Sequence, residues 1–231
     1  MKSIFSHTNQ GKRNSNQDAI FPLDNQTSKI FIVCDGVGGS YRGEMASQTI
    51  ANSMGMYLSQ IEAITEEDIT ESLLIAEQGL VKVILEENIQ GTKTTLAMVA
   101  LNENKAIVAH CGDSEVYHIR NGSVLFKTQN HTYVQFLLDR KMITEEESKN
   151  HPQKHAITRY IDGINAAQLD FSELELLDDD ILIVCSDGIT EGADINSLCR
   201  KYLKAEDLYN SILLECQQNS CDNFSLILVS V

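Results

Sequence analysis

The sequence contains no tryptophan and only two prolines in 231 residues. With 13 glycines and no stretch rich in proline, serine or glycine, it leaves little room for a flexible linker between domains. No internal repeat is visible either. A chain of this length can bury one core of generous size, so we expect a single domain over residues 1–231.

Basic residues are also scarce. Lys and Arg total 18 against 33 Asp and Glu, which gives a formal net charge of −15. A field of this sign repels nucleic acid and anionic membranes, so we expect neither as a partner. It also repels phosphorylated molecules, unless bound metal cations reverse the sign locally. The simpler interpretation of most of the acid is a solvated face that aids solubility.

The six cysteines include no C-x-x-C pair. Cys34, Cys111 and Cys185 end apolar runs, as small buried hydrophobic residues do. Because no signal peptide precedes them, we expect reduced thiols in a cytoplasmic protein. No apolar run approaches the roughly 20 residues that a membrane-spanning helix needs.

Short apolar runs rich in β-branched residues predict strands along the chain. They cover residues 30–34, 94–101, 105–111, 115–120, 123–126, 181–185 and 224–231, and residues 168–176 are a weaker candidate. Asn121-Gly122 lies between two of these runs and predicts a tight hairpin, because both residues tolerate positive φ.

Helices are predicted between the strands. Thr65 and Asp68 form a capping box ahead of apolar residues at helical spacing. The other predicted helices cover residues 40–60, 194–203 and 206–217, and a short one begins at Thr144. Hairpins dominate and strict βαβ alternation is missing. The pattern therefore favours an α+β fold with antiparallel sheets over a doubly wound one.

Aspartate stands beside glycine at the ends of three predicted strands. The pairs are Asp35-Gly36, Gly112-Asp113 and Asp187-Gly188, and two further aspartates, Asp18 and Asp222, precede apolar runs. Glycine lets the backbone turn sharply and approach a ligand. If the rims converge, the carboxylates repel one another unless a cation lies between them. Such oxygen-only sites suit Mg²⁺ and Mn²⁺, although each Asp-Gly pair alone is common turn chemistry.

Six motifs occur in a distinctive order: NSNQDAI, VCDGVGGSYRGEMAS, GTKTTLAMV, CGDSEVYHIRNG, CSDGITEG and CDNFSLILV. Together they resemble the metal-dependent protein phosphatase family, the protein phosphatase 2C type, and its short bacterial branch in particular. The resemblance runs from about Gly11 to Val231. Each motif is weakly specific by itself, but six in the right order are highly specific.

The resemblance implies two stacked antiparallel β-sheets flanked by helices, an α/β/β/α sandwich. Residues from about 130 to 163 resemble the small helical flap of the family, which we expect to choose the substrate. The implied activity is hydrolysis of phosphoserine and phosphothreonine in proteins. Its expected partners are phosphorylated proteins and a cognate serine/threonine kinase of bacterial type, and the expected form is a monomer.

The resemblance also implies two or three Mn²⁺ or Mg²⁺ ions and their ligands. Asp35 matches the bridging carboxylate, and Gly36 matches a backbone carbonyl ligand. Asp187 and Asp222 match the remaining ligands of one metal. Asp113 matches a ligand of a third, looser metal that shares Asp187.

Two further residues match the reacting centre of the family, where Asp35 also counts as catalytic. Asp18 matches a carboxylate that holds metal-bound water, and Arg13 matches the arginine that grips the phosphate with its bidentate fork. Two metals that clamp one water lower its pKa toward neutrality, and the hydroxide then attacks phosphorus in line. No covalent phosphoenzyme is implied.

Three positions depart from the family pattern. Gln17 replaces a glutamate, so one metal is expected to bind more weakly unless Asp18 compensates. Glu115 stands where arginine is common, which removes a positive charge near the motif. Val37 stands where animal members have histidine. The histidines lack zinc-ligand spacing, and we expect a core imidazole at His110 and a structural hydrogen bond at His131.

Two other functions remain open. A binding or regulatory module with the same fold is supported by Gln17, but the retained Asp35, Asp113, Asp187 and Asp222 argue against it. A nucleotide phosphohydrolase has no phosphate-cradling loop behind it, because Gly36, Gly38 and Gly39 do not match G-x-x-x-x-G-K-[ST].

Overall fold

The computed structural model describes residues 1–37 and 42–231. The strands in these ranges are β1 (Ser3–Asn9), β2 (Asp18–Asp24), β3 (Lys29–Val37), β4 (Lys93–Thr94), β5 (Leu96–Asn102), β6 (Lys105–Cys111), β7 (Glu115–Arg120), β8 (Ser123–Lys127), β9 (Asp170–Glu175), β10 (Ile181–Cys185) and β11 (Phe224–Ser230). The helices are α1 (Gly43–Leu58), α2 (Glu66–Glu86), α3 (Tyr133–Asp139), α4 (Glu145–Lys149), α5 (Asp187–Gly192), α6 (Ile195–Lys201) and α7 (Ala205–Asn219).

The strands form two antiparallel sheets. One has the order β1-β11-β10-β7-β8, and the other has the order β2-β3-β5-β6-β9 with β4 paired to β3. The central strands are mostly apolar because both of their faces are buried. On β3, for example, Phe31 and Val33 face the opposite sheet, whereas Ile30 and Ile32 face the helices.

Three apolar layers fill the molecule. One lies between the two sheets, one between the second sheet and α1 with α2, and one between the first sheet and α5 to α7. The layers therefore stack as helices, sheet, sheet and helices. This confirms the predicted α+β class and the α/β/β/α sandwich.

The local signals in the sequence predicted most elements correctly. Thr65 with Asp68 forms a capping box that starts α2, and Thr144 with Glu147 does the same for α4. Asn121 and Gly122 both have positive φ, 50° and 73°, in the hairpin between β7 and β8. Residues 38–41, which belong to the motif VCDGVGGSYRGEMAS and include the predicted helix start at residue 40, lie outside the described residues.

Other elements were missed or shortened. β1, β2, α3 and α5 were not predicted from the sequence. The single strand predicted over residues 94–101 is divided in the structure, because Thr95 separates β4 from β5.

None of the helices that the structure describes is long and apolar enough to cross a membrane. All six cysteines are free thiols, and five of them are buried.

A buried carboxylate joins the strands at the end of the sandwich opposite the aspartate rims. Asp180 has a fully buried side chain, and it accepts two hydrogen bonds of 2.7 Å from Arg120 and lies 2.7 Å from Nε2 of His118. Burial acts to raise the pKa of Asp180, but the bonds from Arg120, the Leu177 amide and His118 outweigh it and lower the pKa to about 2. The charged form is therefore strongly stabilised.

Asp180→Ala is expected to lower the free energy of unfolding by about 3 kcal/mol, because it leaves Arg120 and His118 without their hydrogen-bond acceptor. Urea denaturation followed by circular dichroism measures this loss. Asp178→Ala, at an exposed position two residues away, is the matched control and should change stability by less than about 0.5 kcal/mol. Equal effects of the two substitutions would contradict the assignment.

Candidate metal centre

All predicted site residues except Asp18 line one cleft at the rim between the two sheets. The cleft has a volume of about 600 Å³, and its lining includes Arg13, Asp35, Asp113, Asp187 and Asp222. They come from β3, the β6–β7 loop, α5, the loop before β11 and the loop after β1. The fold therefore brings together residues that are up to about two hundred positions apart in the chain.

Asp35 is fixed by its own backbone at the end of β3. Its N–H donates to Oγ1 of Thr95 over 3.0 Å, and its C=O accepts from the Thr95 amide over 2.9 Å and from Oγ1 of Thr94 over 2.8 Å. These bonds use only main-chain atoms of Asp35. They hold the residue in place and leave its carboxylate for other contacts.

Gly36 lies where three backbone segments come close together. Its N–H donates to the carbonyl of Gln17 over 3.1 Å. A Cβ at Gly36 would lie 2.6 Å from that carbonyl oxygen and would collide with the backbone of Gly43 at the start of α1. A side chain does not fit here, so the glycine beside Asp35 is required by packing.

Asp18 is almost fully buried next to Asp35. The two are directly opposed in the pairing of β2 with β3, and Asp18 is 5% exposed. Its Oδ2 accepts from Oγ of Ser186 over 2.7 Å, and the same Oγ accepts from the Ser225 amide over 3.0 Å. Ser186 therefore connects Asp18 to β11 and to the start of α5, and the sequence analysis did not identify it.

Asn223 fixes the loop that carries Arg13. Its Nδ2 donates to the carbonyls of Gln10 and Ser15 over 2.7 and 2.8 Å, and its Oδ1 accepts from the Gln17 amide over 2.9 Å. Arg13 is 57% exposed and forms an ion pair of 2.5 Å with Oδ2 of Asp222. Asn223 was also missed, because its partners lie more than 200 residues earlier in the sequence.

Burial and mutual repulsion act on the carboxylates of the cleft. Burial raises the pKa of Asp18 to about 7, that of Asp113 to about 8 and that of Asp187 to about 6. It also raises the pKa of Asp35 well above its usual range, and the charges of Asp18, Asp187 and Asp113 add to the effect. Without a cation, these groups compete to hold protons.

Two buried oxygens in this cluster lack a hydrogen-bond partner. Oδ1 of Asp18 and Oδ1 of Asp187 are both buried, and neither is bonded by any residue in the ranges 1–37 and 42–231. Unpaired buried carboxylate oxygens are costly, and a divalent cation would satisfy them, either directly or through a water that it holds. The oxygen-only donor set fits Mg²⁺ or Mn²⁺.

Two residues that were not predicted from the sequence lie beside the proposed ligand Asp187. His155, Asp187 and Glu191 each place one potential ligand atom within 4.8 Å of the others. Asp187 and Glu191 are four residues apart on α5, and so they share one face of the helix. His155 belongs to residues 130–163, the predicted flap, so that segment reaches the cleft.

The two histidine predictions are confirmed. His110 is 2% exposed and its Nε2 lies 3.1 Å from the carbonyl oxygen of Gly112. His131 accepts the Gly112 N–H at Nδ1 over 3.1 Å.

Gln17 stands where the family pattern has glutamate. Nε2 of its side chain donates to a carboxylate oxygen of Glu44 over 3.2 Å.

A cleft with several converging carboxylates and unpaired buried oxygens is the kind of site that binds Mg²⁺ or Mn²⁺. The chain belongs to the protein phosphatase 2C family, whose model matches residues 6–222. The protein phosphatase PhpP of Streptococcus pneumoniae is 31% identical over 229 residues, which cover 95% of this chain and 93% of PhpP.

Solved structures agree with this membership. The serine/threonine phosphatase of S. agalactiae has a TM-score of 0.87 and 28% identity, with 99% of each chain covered. Stp1 from Staphylococcus aureus has a TM-score of 0.89 and 26% identity, with 100% of this chain and 95% of Stp1 covered. Both superpose over essentially the whole sandwich.

The raised pKa values predict a pH dependence of the metal-free protein. Asp18, Asp113 and Asp187 keep protons in the folded state at pH values where the unfolded chain, with a pKa of 3.8 for aspartate, has lost them. The native state thus binds more protons, so the free energy of unfolding falls as pH rises from about 4 to about 8. Urea denaturation in EDTA at several pH values measures this fall.

Mn²⁺ should remove most of the pH dependence, because the cation replaces the protons. Asp113→Asn should reduce the dependence in EDTA, and Asp207→Asn, on the exposed surface of α7, should not. A metal-free protein whose stability does not change between pH 5 and pH 8 would contradict the crowding of these carboxylates.

Proposed function

We propose that this chain is a metal-dependent protein serine/threonine phosphatase with two or three Mn²⁺ or Mg²⁺ ions held by Asp35, Gly36, Asp113, Asp187 and Asp222. Its membership of the protein phosphatase 2C family supports the activity. The observation that carries the ligand assignment is the convergence of carboxylates on one cleft, with an unpaired buried oxygen on Asp187. The substrates are phosphoserine and phosphothreonine in proteins.

Metals held by these ligands would supply an activated water and would stabilise charge on the phosphoryl oxygens. The residues of the chain would position the reacting groups. Ser186 fixes Oδ2 of Asp18, and Oδ1 has no partner among the described residues. Oδ1 would therefore hold the attacking water by a hydrogen bond, and Asp18 would orient it toward phosphorus and accept its proton.

Arg13 grips the phosphate of the substrate. One of its terminal nitrogens contacts Asp222, and the side chain is otherwise largely exposed in the cleft. A guanidinium has five N–H donors in a planar fork, so the remaining donors can bind two phosphate oxygens. This local positive charge offsets the net charge of −15, which repels phosphorylated molecules.

The competing proposal of a regulatory module without turnover rests on Gln17. In the structure the side-chain amide of Gln17 donates to Glu44, and Gln17 is not one of the five proposed metal ligands. We further propose that the enzyme opposes a serine/threonine kinase, acts as a monomer and works in the cytoplasm, where free thiols such as its six cysteines persist.

Asp187→Asn is expected to abolish Mn²⁺-dependent release of phosphate from a phosphothreonine peptide, because it removes a charged ligand shared between metals. The fold should persist, since the amide keeps the shape of the side chain, and a thermal melt checks this. Asp207→Asn is the matched control and should retain full turnover. Near-normal turnover in Asp187→Asn would overturn the ligand assignment.

Arg13→Ala is expected to lower kcat/KM for the phosphopeptide by a factor of about 10 to 100, which corresponds to losing charge-assisted hydrogen bonds to the phosphate. Steady-state kinetics with saturating Mn²⁺ measures the loss. Arg200→Ala, at an exposed position on α6, should leave kcat/KM unchanged. Equal values for the Arg13 variant and the unmodified enzyme would remove Arg13 from the site.

A further inference from the structure

Glu115 is a buried carboxylate that the catalytic scheme does not use. It follows Gly112-Asp113-Ser114 at the start of β7 and is 1% exposed. The sequence predicted that it removes positive charge beside the motif. The structure adds that another residue places a positive charge there, because Nζ of Lys127 on β8 lies 2.9 Å from Oε1 of Glu115.

Two further donors complete the environment of Glu115. The Tyr117 hydroxyl donates to Oε2 over 2.5 Å, and Nδ2 of Asn130 donates to Oε1 over 2.7 Å. A buried carboxylate is retained only when its partners satisfy it. The three partners come from β7, β8 and the first residue of the 130–163 segment, so Glu115 joins these three parts of the chain.

The base of the 130–163 segment is bonded to both sides of Asp113. Ahead of Asp113, the carbonyl of Gly112 accepts from the His131 amide over 2.8 Å, and the Gly112 amide donates to Nδ1 of His131 over 3.1 Å. After Asp113, Glu115 binds Asn130. Consecutive residues of the segment thus hold the loop that carries a proposed metal ligand.

The same base is bonded to the far end of the segment. The carbonyl of His131 accepts from the Thr158 amide over 2.7 Å, and Thr132 forms an antiparallel bridge with Ile157. Ile157 and His155 line the cleft. Glu115 is therefore connected to the wall of the cleft by hydrogen bonds between residues that are neighbours in the chain.

The side-chain amide of Asn130 donates a hydrogen bond to Glu115 while its oxygen is left without a partner among the described residues. Its Oδ1 is buried and has no hydrogen-bond partner in the part of the chain that the structure describes. A buried polar atom without a partner reduces stability. The orientation of the amide is thus set by its bond to the carboxylate, which is the stronger, charge-assisted kind.

We propose that Glu115 is a positioning residue that holds the base of the 130–163 segment against the Asp113 loop and so sets the cleft wall for protein substrates. The proposal rests on the proposed phosphatase function. A small phosphate ester needs only the metal cluster and Arg13, whereas a phosphoprotein must also contact the wall formed by His155 and Ile157. Loss of the Glu115 contact should therefore affect the two substrates differently.

The test compares Glu115→Gln with the unmodified full-length chain in Mn²⁺. For a phosphothreonine protein, KM should rise about tenfold, the size expected when a charge-assisted bond is lost. For p-nitrophenyl phosphate, kcat and KM should stay within about twofold, because the two bonds between His131 and Gly112 still hold the Asp113 loop in this variant. Trypsin cleavage after the exposed Lys149 and Lys154 should accelerate, because the base of the segment is less firmly held.

A double-mutant cycle identifies the contact responsible. Asn130→Ala should reproduce the effects of Glu115→Gln, and the double variant should be no worse than either single variant. Glu173→Gln, which removes one partner of the exposed Lys105 ion pair, is the control and should change neither KM nor cleavage. If Glu115→Gln folds poorly, Asn130→Ala alone still provides both readouts.

Three results would overturn the proposal: an equal loss of activity on both substrates, unchanged trypsin cleavage, or additive effects in the double variant. The trypsin cycle does not depend on turnover. An enzyme inactive on every phosphorylated substrate would refute the proposed function and leave the contact between Glu115 and the segment to be judged by cleavage.

Discussion

Repulsion between carboxylates at the rim of the two sheets is the constraint on which the site depends. Asp18, Asp35, Asp113 and Asp187 all have raised pKa values because they are crowded and withdrawn from water. Such a cluster is kept in place only by a scaffold that cannot relax away from it. The central strands supply that rigidity, since apolar layers cover both of their faces.

Neutral donors hold the rim without cancelling its charge. Thr95 binds the Asp35 amide, Ser186 binds Asp18, and Asn223 binds the loop that carries Arg13. If lysines stood in place of Thr95, Ser186 and Asn223, their positive charges would compensate the carboxylates without a metal. Because hydroxyls and an amide do the positioning, the negative charge remains available for divalent metals, and bound metals in turn make an acidic protein able to receive a phosphate.

The 130–163 segment connects this rim to the surface that meets the substrate. His155 and Ile157 place it in the cleft, and its base is bonded to the Asp113 loop through His131 and Asn130. One end of the segment is thus anchored to the proposed metal centre. This arrangement allows recognition of a protein substrate to vary while the sheets and the acidic rim stay the same.

The sequence by itself determined the fold class and most central strands, because apolar runs and capping boxes are local signals. It determined the candidate ligands only through the resemblance of its six ordered motifs to the family. It did not reveal β1 and β2, which are edge strands with polar faces, or α3 and α5, whose six or seven residues are too few for a clear helical period. Tertiary structure alone decided that Asp18 opposes Asp35 and that His155 and Glu191 approach Asp187. It also decided that Lys127 forms an ion pair with Glu115 and that Asn130 donates a hydrogen bond to it. These contacts join distant or separately folded segments, and only the packing of sheet on sheet and helix on sheet fixes which side chains meet.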